Sequence, residues 1–163
     1  MNRLIYLLFI VLPLTTAAQS QKEEIAIREP IDRLFKGMSE GDSAVVHSAF
    51  TDVVTMTTIS KDQNNMSTIQ HEAGIRGFLI AVGSPHRESW SEPIWDLKIA
   101  IDGNFAQVWA SYAFYLGKKF SHCGTDAFHL FKLPSGKWKI FHLTDTRQKQ
   151  GCMIPDEVSN RFK

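Results

Sequence analysis

The spacing of apolar residues predicts helices in the first part of the chain. Between Ile27 and Glu40, apolar side chains recur every third or fourth position, which predicts an amphipathic helix. Pro30 fits either the first turn of that helix or a bend within a longer one. Asp42 is then placed to cap a second, short helix over 43–49.

The middle of the chain combines β-branched residues with turn signals. The run over 53–59 is rich in valine and threonine and predicts a strand, and 66–69 is expected to pair back against it. A third helix is predicted over 71–82, although Gly74 and Gly77 weaken it. This part is therefore expected to hold two strands and one helix.

Long strand patterns fill the second half of the chain. They are predicted over 92–101, 105–116, 120–133 and 138–147, and each turn between them contains glycine. Helices followed by a run of antiparallel strands indicate an α+β fold. We therefore expect a curved antiparallel sheet with the N-terminal helices packed over its concave face.

The last two strands form an apolar ribbon that carries several polar side chains. The turn signal 134–136 separates them, and apolar residues at odd and even positions indicate that both faces are covered. Polar groups buried in such a ribbon need partners, so they form either a satisfied network or a site. These groups are His122, Asp126, His129, His142, Asp145 and Arg147.

The turn between these strands predicts their register. A four-residue loop over 134–137 pairs Leu133 with Trp138. The same register places Asp126 directly opposite Asp145.

The preceding turn extends the register to a third strand. A three-residue loop pairs Leu116 with Phe120 and also places Phe114 opposite His122. A slip of one residue in either turn would move the side chains to the other face. On this register one face carries Tyr112, Phe114, His122, Asp126, Asp145 and Arg147.

This set of side chains allows three interpretations. Two carboxylates on opposite strands repel each other unless a cation or a proton neutralises one of them. Asp126, Asp145 and Arg147 can therefore form a salt-bridged network with a structural role. The same groups and the aromatic rings beside them can instead bind a small apolar or aromatic ligand. Asp126 or His122 can also act as a catalytic base, for example next to a carbonyl group.

The opposite face of the same strands is aromatic and carries two histidines. Two histidines without a third nearby ligand indicate a metal site only weakly, so no metal is predicted. The simpler interpretation is a face packed against helices or against a second copy of the chain. Its residues are Trp109, Ala127, His129, Phe131, Trp138, Ile140 and His142. The pattern does not decide which face is concave, because both are apolar.

Composition and charge exclude several classes of protein. The 163 residues are 44% apolar and 21% charged, which is typical of one globular domain. The formal net charge of +1, without a basic stripe, argues against a nucleic-acid partner. The sequence has no phosphate-binding glycine loop, nucleophile elbow or CxxC motif, so no cofactor is predicted.

The N-terminus has the pattern of an export signal. Arg3 precedes the apolar segment 4–14, and small residues at 15–18 fit a cleavage site between about 17 and 20. The apolar segment is too short for a bilayer, which takes about 20 residues. We expect an exported protein, periplasmic or secreted, with no stable membrane span after processing. Its parts are a leader over 1–20, a domain over 21–152 and a tail over 153–163.

Export makes the two cysteines relevant, because disulfides form outside the cytoplasm. Cys123 lies at the head of the last hairpin, and Cys152 lies just beyond its end. A bond between them would close a loop of about 29 residues and stabilise the fold by about 3 kcal/mol in the chain-entropy model. The alternative is two thiols that never meet.

Several segments together resemble the nuclear transport factor 2-like superfamily. They are FKGMSEGD over 35–42, VWASY over 108–112, GTDAFHL over 124–130 and GKWKI over 136–140. HCGTD over 122–126 and DTR over 145–147, with Cys152, are similar to its exported bacterial subgroup, called SnoaL-like or lumazine-binding-type. The resemblance covers roughly residues 23–152. It implies a cone-shaped, cystatin-like roll with a pocket between sheet and helices, and usually a homodimer through the sheet.

The resemblance does not choose an activity, because this fold hosts isomerases, dehydratases, hydrolases and non-catalytic binders. The leading hypothesis is an exported small-molecule-binding domain. The alternatives are a cofactor-independent isomerase, dehydratase or cyclase, and a non-catalytic dimeric interaction module.

Overall fold

The computed structural model describes the backbone of residues 15–163 and the side chains of residues 20–163. The charged and apolar segments of the predicted leader, residues 1–14, lie outside the described residues. Within the described range, no helix is long and apolar enough to cross a membrane. The elements are α1 (Thr15–Glu40), α2 (Ser43–Ser48), β1 (Phe50–Lys61), β2 (Ser67–Ala73), α3 (Arg76–Gly83), β3 (Trp90–Ser91), β4 (Ile94–Asp102), β5 (Phe105–Leu116), β6 (Lys119–Lys132), β7 (Trp138–Thr146), α4 (Asp156–Ser159) and a final 3-10 helix (Asn160–Phe162).

Helix α1 is held against the sheet by one stripe of apolar side chains. Ile27, Ile31 and Leu34 are buried at the spacing that the sequence predicts. Pro30 lies inside the helix and not in its first turn, so α1 is the longer helix of the two alternatives that the sequence allows. Gly41, with φ of 68°, then ends α1 in the left-handed conformation that glycine tolerates.

The strands form one curved, open sheet in the order β2-β1-β7-β6-β5-β3, with β4 also paired to β5. Every neighbouring pair is antiparallel except β1 and β7, which are parallel. The α+β class is therefore confirmed, but the sheet is mixed rather than wholly antiparallel. No hairpin joins β1 to β7, so turn geometry does not impose the antiparallel direction on this pair.

The core lies between α1 and one face of the sheet, which we call the helix face. Phe128 and Ile140 are fully buried there, and the ring of Phe35 meets Phe128 edge-on at 6.1 Å between centroids. The opposite face, which we call the outer face, exposes large aromatic side chains such as Trp109 and Phe131. The helices therefore cover the helix face and leave much of the outer face open.

A β-bulge corrects the predicted faces of β7. Trp138 and Ile140 lie on the helix face, so their predicted place on the aromatic–histidine face is wrong. Trp138 pairs with Lys132 instead of the expected Leu133, and the register shifts by one residue at Phe141. A one-residue shift moves side chains to the other face, so only the part of β7 beyond the bulge has the predicted orientation.

A second bulge has the same effect between β5 and β6. Leu116 pairs with Lys119 instead of the expected Phe120, so the predicted turn is wrong by one residue. One extra residue in β6 then restores the predicted pairing of Phe114 with His122.

Two further predicted elements need correction. The predicted helix over 71–82 is wrong in its first part, because His71 pairs within the β1–β2 ladder. Gly74, with φ of 107°, turns the chain before α3 begins. The predicted strand over 92–101 is interrupted before β4, because Pro93 has no N–H to donate to a ladder.

The segment after β7 packs on the outer face of β5 and β6. A disulfide joins Cys123 in β6 to Cys152. Phe162 stacks on Tyr115 with 3.8 Å between ring centroids, and Val158 is buried. The segment predicted as a tail is therefore part of the folded domain.

Candidate functional site

A cavity of about 270 Å³ lies between α1, α3 and the helix face of the sheet. Its wall is largely apolar and includes Phe35, Phe78, Trp90 and Phe114. The polar side chains gather at one end of the cavity, and they are Glu92, Tyr112, His122, Asp126, Asp145 and Arg147.

The structure brings every predicted ligand-binding residue to this cavity. They are Tyr112, Phe114, His122, Asp126, Asp145 and Arg147. Asp126 pairs with Asp145 in the ladder between β6 and β7, and Phe114 pairs with His122 between β5 and β6. The cavity thus collects these side chains in one place, and their role in binding stays a prediction.

Each oxygen of the Asp145 carboxylate accepts a hydrogen bond from a donor within the protein. Thr58 Oγ1 donates to Oδ1 at 2.6 Å, and Arg147 Nε donates to Oδ2 in an ion pair. The Tyr112 hydroxyl lies 3.4 Å from Oδ2 but donates to the closer carbonyl of Thr146, at 2.8 Å. This network links β1, β5 and β7. Asp145 and Arg147 therefore belong to a salt-bridged network with a structural role, which is the first of the three interpretations that the sequence allows.

Asp126 is not part of that network. It is 2% exposed, and no N–H or O–H donor within the described residues reaches its Oδ2. The carboxyl group of Glu92 lines the same end of the cavity, and two neighbouring carboxyl groups can form a hydrogen bond only when at least one carries a proton. The predicted salt bridge therefore excludes Asp126.

Burial makes the protonated forms of these two acids the favoured ones. Burial, followed by the negative charge of Asp145, raises the pKa of Glu92 to about 8. Burial, followed by the charge of Glu92, raises the pKa of Asp126 well above its usual range. Both side chains are therefore largely uncharged carboxylic acids at neutral pH.

His122 is a neutral imidazole at neutral pH. Its ring packs against Phe114 and Tyr112, with centroids 5.1 and 5.7 Å away, and its Nδ1 lies 3.0 Å from Ser121 Oγ. Burial, followed by the positive charge of Arg147, lowers the pKa of His122 to about 4. Burial also raises the pKa of Tyr112, so its hydroxyl keeps its proton.

Glu92 is the site residue that the sequence did not single out. It stands at the head of an expected strand, where a charged side chain gives no sign of burial. The structure ends β3 at Ser91, and the chain passes over the cavity before β4 begins at Ile94. Only the tertiary fold turns this carboxyl group toward Asp126.

The histidines of the outer face have partners of their own. His129 and His142 lie 5.3 Å apart between ring centroids. Thr55 Oγ1 lies 2.6 Å from His142 Nδ1, and Thr144 Oγ1 lies 2.8 Å from its Nε2. No group of three or more His, Cys, Asp or Glu side chains in the described part of the chain is arranged to hold a metal ion.

Fold and cavity together define a class: an α+β roll in which helices close a pocket against an open sheet. No protein-family model matches the chain, and no curated protein matches it. Solved structures do match it.

A nuclear transport factor 2-like protein of unknown function from Shewanella baltica is 23% identical, with a TM-score of 0.57 over 83% of this chain and 99% of that one. A nuclear transport factor 2-like protein with a cystatin-like fold from Novosphingobium aromaticivorans has a TM-score of 0.67 at 11% identity, over 95% and 97% of the two chains. A proposed scytalone dehydratase from the same organism has a TM-score of 0.65 at 12% identity, over 86% and 94%. The chain therefore has the nuclear transport factor 2-like, cystatin-like fold that the sequence resemblance predicted.

Proposed function

We propose that this protein is an exported domain that binds a small apolar or aromatic molecule in its cavity. The observation that carries the proposal is a cavity of about 270 Å³ whose apolar wall ends in two acids without ionic partners. Apolar pockets with a few convergent polar groups are the usual form of small-molecule sites. The ion pair between Asp145 and Arg147 has a structural role because it belongs to the network that links β1, β5 and β7. In contrast, the carboxyl groups of Glu92 and Asp126 can still form hydrogen bonds with a ligand.

A blocked cavity tests the proposal. Ala81 lines the cavity from α3 and is itself exposed, so Ala81→Trp should narrow the entrance without disturbing the core. The matched control is Ile80→Trp, on the same helix at a side chain that is 60% exposed and does not line the cavity. In calorimetric titrations with 2-acetylnaphthalene we expect binding to the wild type and to Ile80→Trp, and at least tenfold weaker binding to Ala81→Trp. Equal binding by all three proteins would place the ligand elsewhere.

The second candidate function is a cofactor-independent isomerase, dehydratase or cyclase. It is favoured by the neutral imidazole of His122 at the same end of the cavity as two carboxylic acids. Asp126 holds its proton at neutral pH, so His122 is the better base and Asp126 the better acid. Turnover of a carbonyl compound that is lost in His122→Asn would support the enzyme. If the protein binds carbonyl compounds but converts none of a broad panel of them, the enzyme hypothesis fails and the non-catalytic binding domain is supported.

Export is part of the proposal and rests on the N-terminal pattern alone. Cell fractionation of the full-length chain should place the protein outside the cytoplasm, and N-terminal sequencing should find a start between about residues 18 and 21. Replacing Arg3 and the apolar segment 4–14 with polar residues should retain the protein in the cytoplasm. A cytoplasmic, unprocessed wild type would contradict export.

The outer face supports the proposal of a homodimer. This holds for the dimeric interaction module and for a dimer in either of the other two functions. Phe105, Trp109 and Phe131 are each 40% or more exposed on this face. Their exposure supports a second copy of the chain as the partner, as the fold resemblance implies.

A further inference from the structure

Glu92 and Asp126 reach each other from two separate parts of the sheet. Glu92 lies between β3 and β4, and Asp126 lies in the middle of β6, where it is almost completely buried. Both side chains line the polar end of the cavity. A hydrogen bond between them requires a proton on at least one of the two groups, since an ionised carboxylate only accepts.

Several donors around the pair bond to other groups within the protein. Arg147 Nε donates to Asp145, and Thr58 donates to the other oxygen of the same carboxylate. The Tyr112 hydroxyl donates to the Thr146 carbonyl. Within the described residues, no N–H or O–H group satisfies Asp126 Oδ2, so the pair is not a closed structural unit.

We propose that Glu92 and Asp126 together recognise the ligand, and that they select an uncharged molecule that presents an acceptor oxygen, such as an aryl ketone or ester. This inference rests on the proposed binding function. Two protonated carboxyl groups carry two O–H donors, of which one is used between them and the other is left for the ligand. A ligand carbonyl can accept that bond without bringing a charge into the cavity.

The charges of the polar end explain the preference for a neutral ligand. Asp145 and Arg147 offset each other, His122 is neutral, and the acid pair is uncharged. A ligand carboxylate would lose its hydration beside an arginine whose charge Asp145 already offsets, and a ligand ammonium group would have to ionise the pair. The same apolar skeleton should therefore bind best when it carries a ketone.

The pair also makes binding depend on pH in a definite direction. The ketone needs the protonated pair, so its affinity should be constant below about pH 8 and fall above it, where Glu92 ionises. Each further pH unit should weaken apparent binding about tenfold, because the competent fraction falls tenfold. An ammonium ligand should show the opposite trend.

The experiment uses four probes with one ring system: naphthalene, 2-acetylnaphthalene, 2-naphthoate and 2-naphthylmethylamine. Their affinities are measured by calorimetry on the mature protein, from neutral pH to two units above the Glu92 pKa of about 8. We expect the ketone to bind at least tenfold more tightly than naphthalene and either charged probe at neutral pH.

The amide variants separate recognition from packing. Glu92→Gln and Asp126→Asn each keep an N–H donor where the protonated acid has its O–H group. Both should still bind the ketone, and in Glu92→Gln the loss of affinity at high pH should disappear. Glu92→Leu should bind naphthalene and lose the preference for the ketone. The control is Glu88→Gln, an exposed glutamate on the preceding loop, which should behave like the wild type.

The outcomes distinguish this inference from the binding function on which it rests. If naphthalene and the ketone bind equally at every pH, the cavity binds ligands but the acid pair does not recognise them. Tightest binding of the carboxylate or ammonium probe at neutral pH would overturn the inference in favour of Arg147 or an ionised pair. If no probe binds, the proposed function and the inference fail together. Thermal melts check that each variant is folded, and the two amide variants act as independent tests.

Discussion

Asp126 has the environment that most clearly departs from that of an ordinary aspartate. It is 2% exposed, its Oδ2 has no hydrogen-bond partner among the described residues, and it lies at the same end of the cavity as Glu92. A carboxyl group of this kind destabilises the fold when it ionises, because its charge loses hydration without an opposite charge in return. The acid pair is therefore expected to act on stability as well as on ligand binding.

The dependence of stability on pH tests this environment. The folded pKa of Glu92 is about 8 against 4.5 for an unperturbed glutamate, so the folded state binds more protons in between and stability falls as pH rises. Below 6.5 the lowered pKa of His122 acts in the opposite direction. Urea unfolding of the wild type should therefore lose stability between about pH 6.5 and pH 8, and Glu92→Gln should flatten this slope. A slope that Glu92→Gln leaves unchanged would contradict the raised pKa of Glu92.

The titration of His122 gives a second residue-scale prediction. Burial and the positive charge of Arg147 place its pKa at about 4, far below 6.5. In a proton NMR titration its ring signals should move near pH 4. Arg147→Gln removes the positive charge and should shift that midpoint upward. A midpoint near 6.5 for His122 would show an imidazole open to water.

At the scale of the elements, the close approach of β6 to the end of β7 depends on Gly124. A Cβ atom at this position would lie 1.8 Å from the carbonyl oxygen of Thr146, which also accepts the Tyr112 hydroxyl. We expect Gly124→Ala to lower the free energy of unfolding by about 3 kcal/mol or more. Gly77→Ala in α3 is the control, because the nearest atom to its Cβ would be Glu72 Oε2 at 3.6 Å, and it should cost nothing. Equal stability of both variants in urea would show that the strands separate easily.

The disulfide acts on the segment that follows β7. Cys123 and Cys152 are 29 positions apart, so replacing both with serine should cost about 3 kcal/mol by the chain-entropy model. The stacking of Phe162 on Tyr115 should weaken as well, so limited proteolysis should cut the segment 153–163 sooner. Reduced wild-type protein is the control and should match the double variant. An unchanged midpoint in urea after reduction would mean that packing alone holds this segment.

At the scale of the whole molecule, we expect a second copy of the chain to cover the outer face. Trp109 is 46% exposed there, beside Phe105 and Phe131, and a second copy would bury all three. Sedimentation equilibrium should find a dimer for the wild type and a monomer for Trp109→Lys. Met153→Lys is the control, because it changes an exposed apolar side chain outside this face. A wild type that stays monomeric at high concentration would exclude the homodimer.

Much of the fold follows from local patterns along the chain. The residues of α1 that contact the sheet repeat at helical spacing, and the bounds of β5 coincide with those predicted, because glycine turns flank a continuous apolar run. Local patterns were misleading where a glycine or proline redirected the chain. Gly74 and Pro93 moved two predicted elements in this way.

Two residue pairs in the candidate site were predicted correctly from strand register. The pairings of Asp126 with Asp145 and of Phe114 with His122 were predicted from loop lengths that the structure corrects. Each loop differs by one residue from the prediction, and a β-bulge in the strand compensates for the difference. The predicted pairs are therefore correct although the predicted turns are wrong. Both hold because the strands must keep their apolar face toward the helices.

Local patterns along the chain were sufficient to predict the class of fold, the apolar stripe of α1 and one strand face, which carries Tyr112, His122, Asp126, Asp145 and Arg147. These depend on periodicity, which is a local property. Three features became known only from the three-dimensional fold: the helices cover that face, Arg147 pairs with Asp145, and Glu92 lines the same cavity as Asp126. Glu92 and Asp126 are far apart in sequence, and neither carries a local signal of the other. Their pKa values are raised because folding brings both acids to one end of the cavity, where Arg147 pairs with Asp145 instead.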